Sequence, residues 1–298
     1  MEAMTTAALL FDIDKTLTPP RLPITESMVK VLENLHQPFH VAAGSHLELL
    51  QKQFFEPLFE FGYRKQFDAF VSNGAIHYHC DYSNEMSIEL VSKFDIREYL
   101  GDKDYSFLIE TLQHTSGDEN FQLRSPVENL GETIAYRVSM VNYTPIGRAT
   151  VEDEKNRVNR TNFVDFDSET GYRQNVMDHL KNKLKRLIDE KKLVITLGGE
   201  TSFDIGVLGE DKTKGVTTLW DMGIDKVIFF GDALYEGGND YAVRVFVDNL
   251  PPDLKPKAAY YQVNSYKDTI EKLRERESSK FSIESLIALG FSDLKEKE

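Results

Sequence analysis

Two aspartates, Asp12 and Asp14, stand two residues apart directly after the apolar run Ala7-Ala-Leu-Leu-Phe11. Carboxylates at the end of a buried segment are costly unless something cationic sits between them. Mg²⁺ would satisfy both, and would neutralise a phosphate brought against Asp12. A carboxylate can attack phosphorus to form an acyl phosphate, splitting one hard displacement into two. The second carboxylate can protonate the departing oxygen and later take a proton from the acceptor. Asp12 is therefore the candidate nucleophile of a phosphoryl transfer and Asp14 its candidate acid and base. For the pair alone, the plain alternative is an acidic turn exposed to water.

Such residues need elements to hold them. The run 7–11 suits a strand buried on both faces of a parallel sheet, with chemistry at its carboxyl end. A helix over 25–36 follows, with Thr25 as N-cap, then a strand at His40-Val-Ala-Ala ending at Gly44-Ser45. Residues 46–60 read as a helix and 69–72 as a strand. The alternation returns late in the chain, with a helix over 213–222, a strand at Lys226–Phe230 ending in Gly231-Asp232, a strand over 259–263 and a helix over 266–276. Between these halves the texture changes. Residues 133–143 alternate like one half-exposed antiparallel strand, and 174–191 place Val176, Leu180, Leu184 and Leu187 on one helical stripe. The pattern predicts an α/β fold: a doubly wound, mostly parallel, Rossmann-like core interrupted by an inserted α+β cap domain. The expected boundaries are 1–81 and 208–276 for the core and 82–207 for the cap. The tail 277–298 reads as one docked helix through Phe281, Leu286, Ile287 and Phe291.

Composition narrows the classes. A net charge of −14 over 298 residues opposes binding to nucleic acid or to an anionic membrane. The single cysteine, Cys80, forbids an intramolecular disulfide and fits a reducing compartment. No apolar run approaches the roughly 20 residues that span a bilayer, and residues 7–11 lack the basic flank of a signal peptide. A cytoplasmic location is expected, which leaves the glycosylation patterns at Asn142 and Asn159 without meaning. His77 and His79 share one face of a strand, but no third ligand accompanies them, so an edge-strand pair without a ligand role is expected. Gly237-Gly238 lacks the dinucleotide spacing, and no GxxxxGK[ST] motif is present.

The block Asp12-Ile-Asp14-Lys-Thr16 resembles the Asp-x-Asp-x-Thr motif of the haloacid dehalogenase superfamily. Later residues follow in that superfamily's order. Ser45 stands where it places a phosphate-binding hydroxyl, Lys212 where it places a lysine that neutralises the phosphoryl group, and Asp232 where it places an acidic Mg²⁺ ligand. A closer resemblance, over most of residues 7–265, is to eukaryotic-type phosphomannomutases. It is carried by the first block through Arg21, by Arg137, Asn142 and Pro145-Ile-Gly-Arg148, and by Gly198-Gly199 with Ser202-Phe-Asp204. Asp211-Lys212, Phe229-Phe-Gly-Asp232 and Gly237-Gly-Asn-Asp240 complete it. Asp14-Lys-Thr-Leu-Thr also looks like the phosphorylation motif of P-type ATPases, which would make Asp14 the nucleophile. Those pumps need transmembrane helices, and Asp12 is the residue that directly follows the strand.

The resemblance implies catalysis by Asp12, Asp14, Ser45 and Lys212, with Mg²⁺ held by Asp12, Asp14 and Asp232. It implies that Arg21, Arg137, Arg148, Ser202 and Asp204 bind a hexose phosphate. Three departures qualify it. Lys15 replaces the usual glycine. Lys155 stands where a further substrate-binding arginine is usual, keeping the charge but not the bidentate fork. Residues 243–250 do not match the region of a second cation, so one metal is expected. The implied activity interconverts hexose 6-phosphate and hexose 1-phosphate, mannose preferred, in GDP-mannose biosynthesis. A hexose 1,6-bisphosphate would be the activator, and the cap would close over the sugar and form a homodimer. A Mg²⁺-dependent sugar-phosphate phosphatase is the alternative, and a non-catalytic binding module a weaker third.

Overall fold

A computed structural model describes residues 6–148 and 154–278. The chain divides into two compact units, Met1–Lys93 with Asp211–Glu298, and Phe94–Glu210.

The first unit is built on a seven-stranded sheet of β1 (Ala7–Phe11), β2 (Phe39–Ala42), β3 (Gln66–Val71), β4 (Ile76–Asp81), β5 (Ser87–Lys93), β10 (Lys226–Gly231) and β11 (Ala258–Gln262), in the order β11-β10-β1-β2-β3-β4-β5. The first five strands of that order run parallel, and β4 and β5 run antiparallel to their neighbours. Strand β1 is apolar throughout because both its faces are covered. Leu9 and Phe11 join a core with Met28, Val29 and Leu32 of the helix Glu26–Glu33 and with Ile270 and Leu273 of Tyr266–Ser278. Leu10 points the other way, to Val216 and Leu219 of Thr213–Asp221 and Val243 and Val247 of Tyr241–Asp248. Thr25 caps the helix Glu26–Glu33, its Oγ1 accepting from Met28 N at 3.4 Å.

The second unit is α+β. Its antiparallel sheet runs β6-β7-β9-β8, where β6 is Glu132–Tyr136, β7 Met140–Arg148, β8 Val194–Gly198 and β9 Ser202–Gly206. One face carries Val141, Tyr143, Ile195, Phe203 and Ile205 onto the helices Ile96–Gly117, Glu154–Thr170, Tyr172–Lys183 and Lys185–Asp189. Val176, Leu180, Leu184 and Leu187 are all buried there. The opposite face is polar, as expected of an antiparallel sheet packed on one side.

Several expectations need correction. The division falls at residues 93/94 and 210/211 rather than at 82 and 207, because β5 pairs along β4 and extends the first unit's sheet. The segment 133–143 is not one strand. It turns at 137–139 between β6 and β7, with Val138 at φ 59°. His77 and His79 lie on β4, an interior strand, because β5 covers that edge. The tail helix expected from 277 lies outside the described residues, apart from the end of Tyr266–Ser278. Among the described residues no helix is long and apolar enough to cross a membrane.

Candidate active site

Strands β1 and β10 lie side by side, with Phe11 opposite Phe230, and Asp12 N donates to Phe230 O at 2.8 Å. Asp12 and Asp232 thus leave adjacent strand ends, where the chain order of the sheet reverses and open α/β sheets form their crevice. Lys212 precedes the helix Thr213–Asp221, and Asp240 precedes Tyr241–Asp248. The Lys212 ammonium, 1% exposed, lies 2.5 Å from Asp12 Oδ1 and 2.5 Å from Asp240 Oδ1. Asp240 Oδ2 accepts from Ala233 N at 3.2 Å. A Cβ on Gly231 would lie 2.4 Å from Asp240 Oδ2, so only glycine lets this carboxylate come in beside β10.

Electrostatics here is set by burial. Burial pushes the Asp12 carboxyl up, and the negative charges of Asp240 and Asp232 act the same way against the opposing pull of Lys212. Burial acts to lower the Lys212 pKa, but the two carboxylates outweigh it and hold the ammonium charged. Asp232 is also pushed up by burial and by Asp240, opposed by Lys15 and Lys212.

Asp14 is half-buried. Its Oδ1 accepts from Arg21 N at 2.6 Å and from Gln53 Nε2 at 3.1 Å, and the same Gln53 amide reaches Thr18 Oγ1 at 3.0 Å. Gln53 sits in a wide π-helical turn, Gln51–Phe55, inside the helical stretch 47–60, and sequence reasoning missed it. Arg21 (φ 55°) and Lys15 (φ 62°) both hold the left-handed conformation, which residues with a Cβ rarely adopt outside functional loops. Ser45 follows β2, and its carbonyl accepts from Ser72 N at 2.9 Å.

Asp12, Asp232 and Asp240 can each offer one oxygen to a cation, and these three atoms lie within 4.8 Å of one another. Three hard oxygen donors around buried, mutually repelling charges fit a small divalent cation such as Mg²⁺. The trio differs from the expected Asp12, Asp14 and Asp232. One Asp14 oxygen, Oδ1, is engaged by Arg21 N and Gln53, and Asp240 is the third carboxylate whose oxygen converges with those of Asp12 and Asp232. Its signal in the sequence was the Gly237-Gly-Asn-Asp240 block just before an apolar helix, to which no role had been given.

On the polar face of the second unit's sheet, β7 sets Asn142 opposite Asp204 of β9. Asn142 Nδ2 donates to Asp204 Oδ1 at 2.5 Å and to Ser202 Oγ at 3.2 Å, and Asn142 Oδ1 accepts from Arg148 Nη2 at 2.8 Å and Thr144 Oγ1 at 2.9 Å. Gly198 is required here, because its Cβ would lie 2.7 Å from Ser202 Oγ and 2.8 Å from Asp204 Oδ1. Arg148 has a buried Nε with no partner. Burial and then the neighbouring Arg137 lower its pKa, against Asp204 and Glu132. Two guanidinium groups close together, one with an unmet donor, make a place for an anion. Lys155 does not join the cluster. It pairs with Glu128 at 3.0 Å, and both side chains are well exposed.

The comparisons with known proteins agree with one another. The family model described as eukaryotic phosphomannomutase matches residues 28–278. The chain is 31% identical over 273 residues to a phosphomannomutase of Schizosaccharomyces pombe, covering 90% of this chain and 93% of that one. It is 31% identical over 237 residues to phosphomannomutase 2 of Dictyostelium discoideum, covering 78% and 85%. Among solved structures it is similar to an IMP-bound Plasmodium falciparum IMP-nucleotidase mutant, with a TM-score of 0.55 at 14% identity over 92% of this chain and 67% of that one. It is also similar to a trehalose-6-phosphate phosphatase of Aspergillus fumigatus, with a TM-score of 0.51 at 13% identity over 92% and 93%. These structural likenesses speak to the fold alone.

Proposed function

Because the chain belongs to the eukaryotic phosphomannomutase family, we propose that it interconverts mannose 6-phosphate and mannose 1-phosphate by carrying the phosphoryl group on Asp12. The observation that carries this reading is the buried Lys212 ammonium, shared between Asp12 and Asp240 with Asp232 alongside. A carboxylate so placed has a fixed cation aimed at it, which suits a nucleophile that must meet a phosphate dianion. Mg²⁺ held by Asp12, Asp232 and Asp240 would supply further neutralisation of the incoming phosphate.

In the first half-reaction an Asp12 oxygen attacks a phosphorus of hexose 1,6-bisphosphate and the bond from that phosphorus to the sugar oxygen breaks. Asp14 acts as the acid that delivers a proton to the departing oxygen. In the second, a hexose monophosphate hydroxyl attacks the acyl phosphate, its proton returns to Asp14, and the bond from phosphorus to Asp12 breaks. Both hydrogen bonds to Asp14 fall on Oδ1, leaving Oδ2 as the atom to carry the proton. Ser45 and Lys212 hold the transferring group. Arg21, Arg137, Arg148, Ser202 and Asp204 recognise the rest of the sugar phosphate, a role supported in the second unit by Arg148, held at Asn142 with Arg137 close enough to lower its pKa. Homodimerisation through that unit, a cytoplasmic location and a place in GDP-mannose supply belong to the same reading and rest on the family and on composition.

A hydrolase sharing the first step is the second reading, favoured by the Lys155–Glu128 ion pair, which removes one cation from service at the distal phosphate. One assay separates the two. Purified protein is incubated with Mg²⁺ and mannose 1-phosphate, with and without glucose 1,6-bisphosphate, while mannose 6-phosphate and free phosphate are followed together. Bisphosphate-dependent mannose 6-phosphate with little free phosphate is expected. Free phosphate without isomerisation would make the protein a phosphatase.

A further inference from the structure

Lys15 stands between the two aspartate-bearing features of the site. Its backbone holds the left-handed conformation, φ 62°, which is unfavourable for a residue with a Cβ and free for glycine. Its ammonium lies 3.6 Å from Asp232 Oδ2, with the lysine side chain 52% exposed and the carboxylate 16% exposed. Asp232 is one of the three carboxylates whose oxygens converge.

The two ammonium groups of this site differ in kind. Lys212 is fully buried and fixed by contacts of 2.5 Å to two carboxylates, so it cannot leave without exposing paired charges to a dry interior. Lys15 makes one loose contact, and half its side chain is in water, so it can exchange Asp232 for solvent at little cost. Three carboxylates with two ammonium groups leave a net charge of −1 where the carboxylates alone would give −3. A cation entering the trio must bind a carboxylate that Lys15 already faces, and must do so against its charge.

We propose that Lys15 is a tethered competitor for the divalent cation: it holds Asp232 while no metal is bound, and its charge sets how much Mg²⁺ is needed to load the site. The inference rests on the reading that the trio of Asp12, Asp232 and Asp240 takes Mg²⁺. One charge a few ångströms away and half in water changes divalent affinity by about three- to tenfold.

The test is calorimetric titration of the purified full chain with MgCl₂ in the absence of any sugar phosphate. Wild type is compared with Lys15→Gln, which removes the charge, and Lys15→Arg, which keeps it. Lys15→Gln is expected to bind Mg²⁺ about three- to tenfold more tightly, Lys15→Arg within about twofold of wild type, and the gap to narrow in 0.5 M KCl, as screening requires. Lys15→Gly removes the charge at a backbone position that suits glycine, so it reports the same effect should the glutamine variant fold poorly. Equal or weaker Mg²⁺ binding by Lys15→Gln and Lys15→Gly overturns the proposal, as does an arginine variant that behaves like glutamine. If neither wild type nor any variant binds Mg²⁺, the metal reading itself falls and takes the competitor with it.

Discussion

Lys212 Nζ and Asp240 Oδ1 meet at 2.5 Å in surroundings that leave the lysine side chain 1% and the aspartate 0% exposed. The two residues come from the entrances of different helices, and Asp240 is tied by its other oxygen to the backbone of Ala233. Asp240 therefore anchors the lysine that faces Asp12.

Removing one partner of a buried pair leaves the other charge uncompensated. Asp240→Ala is expected to lose about 3–5 kcal/mol of stability in urea unfolding. Asp240→Asn keeps the shape and should lose less. Both should lower kcat by about 10²–10³ with little change in KM, since the lysine acts on the reacting group. Wild-type kcat in Asp240→Asn would remove Asp240 from the chemistry.

Asp12→Asn should abolish isomerisation and the acid-stable, base-labile acyl phosphate trapped from labelled hexose bisphosphate. Its far-ultraviolet circular dichroism should match wild type, because Lys212 keeps Asp240. Turnover above about 10⁻³ of wild type would move the nucleophile elsewhere.

Asn142 is the hub of the second unit's polar face, holding Arg148, Ser202 and Asp204 at once. Asn142→Ala should raise KM for mannose 1-phosphate by about tenfold or more and leave calorimetric Mg²⁺ binding unchanged. Lys155→Arg should shift bisphosphate affinity by less than about twofold, because Lys155 is engaged by Glu128 at the surface. A clear tightening in that variant would return Lys155 to the distal phosphate.

Asp68 gathers three histidines. Its Oδ1 lies 2.8 Å from His77 Nε2 and 3.4 Å from His79 Nδ1, and its Oδ2 lies 3.2 Å from His40 Nδ1. Burial acts to raise the carboxyl, but hydrogen bonds to His40 and His77 outweigh it and hold Asp68 well below the usual carboxylate range. A depressed folded value means stability that is present above the unfolded pKa, about 4, and is lost as pH falls toward the folded value. Asp68→Asn should therefore be about 1–3 kcal/mol less stable than wild type at pH 7, with the gap closing below about pH 4. Denaturant unfolding at pH 7, 5 and 3.5 measures it, and a gap that stays constant across the series refutes the assignment.

The strand ends that carry Asp12 and Asp232 were readable because Ala7–Phe11 and Lys226–Gly231 are covered on both faces. A continuous apolar run leaves little doubt which residue comes next. The stripe from Val176 to Leu187 was readable for the same reason in helical form. The hairpin at 137–139 was not, since a valine at φ 59° occupies a turn that glycine or asparagine would have announced. Gln53 escaped because it reaches Asp14 only through the wide turn at 51–55, which no periodicity marks. The partnership of Asp68 with His40 and His77 depends on strand order and register, and so does the distinction between an interior and an edge position for β4.

The position of β1 between β2 and β10 has a consequence for a chain emerging from the ribosome. Phe11 and its partner Phe230 are separated by the whole of the second unit. At ~5–20 residues per second, β1 waits roughly 10–40 s for β10 to be synthesised. Throughout that interval one edge of the most apolar strand in the sheet is unpaired, a template for wrong pairing. The second unit, continuous in sequence, can fold in the meantime, whereas the β10-facing edge of β1 stays without its partner until translation reaches Gly231, because β2 and β3 pair along the other side.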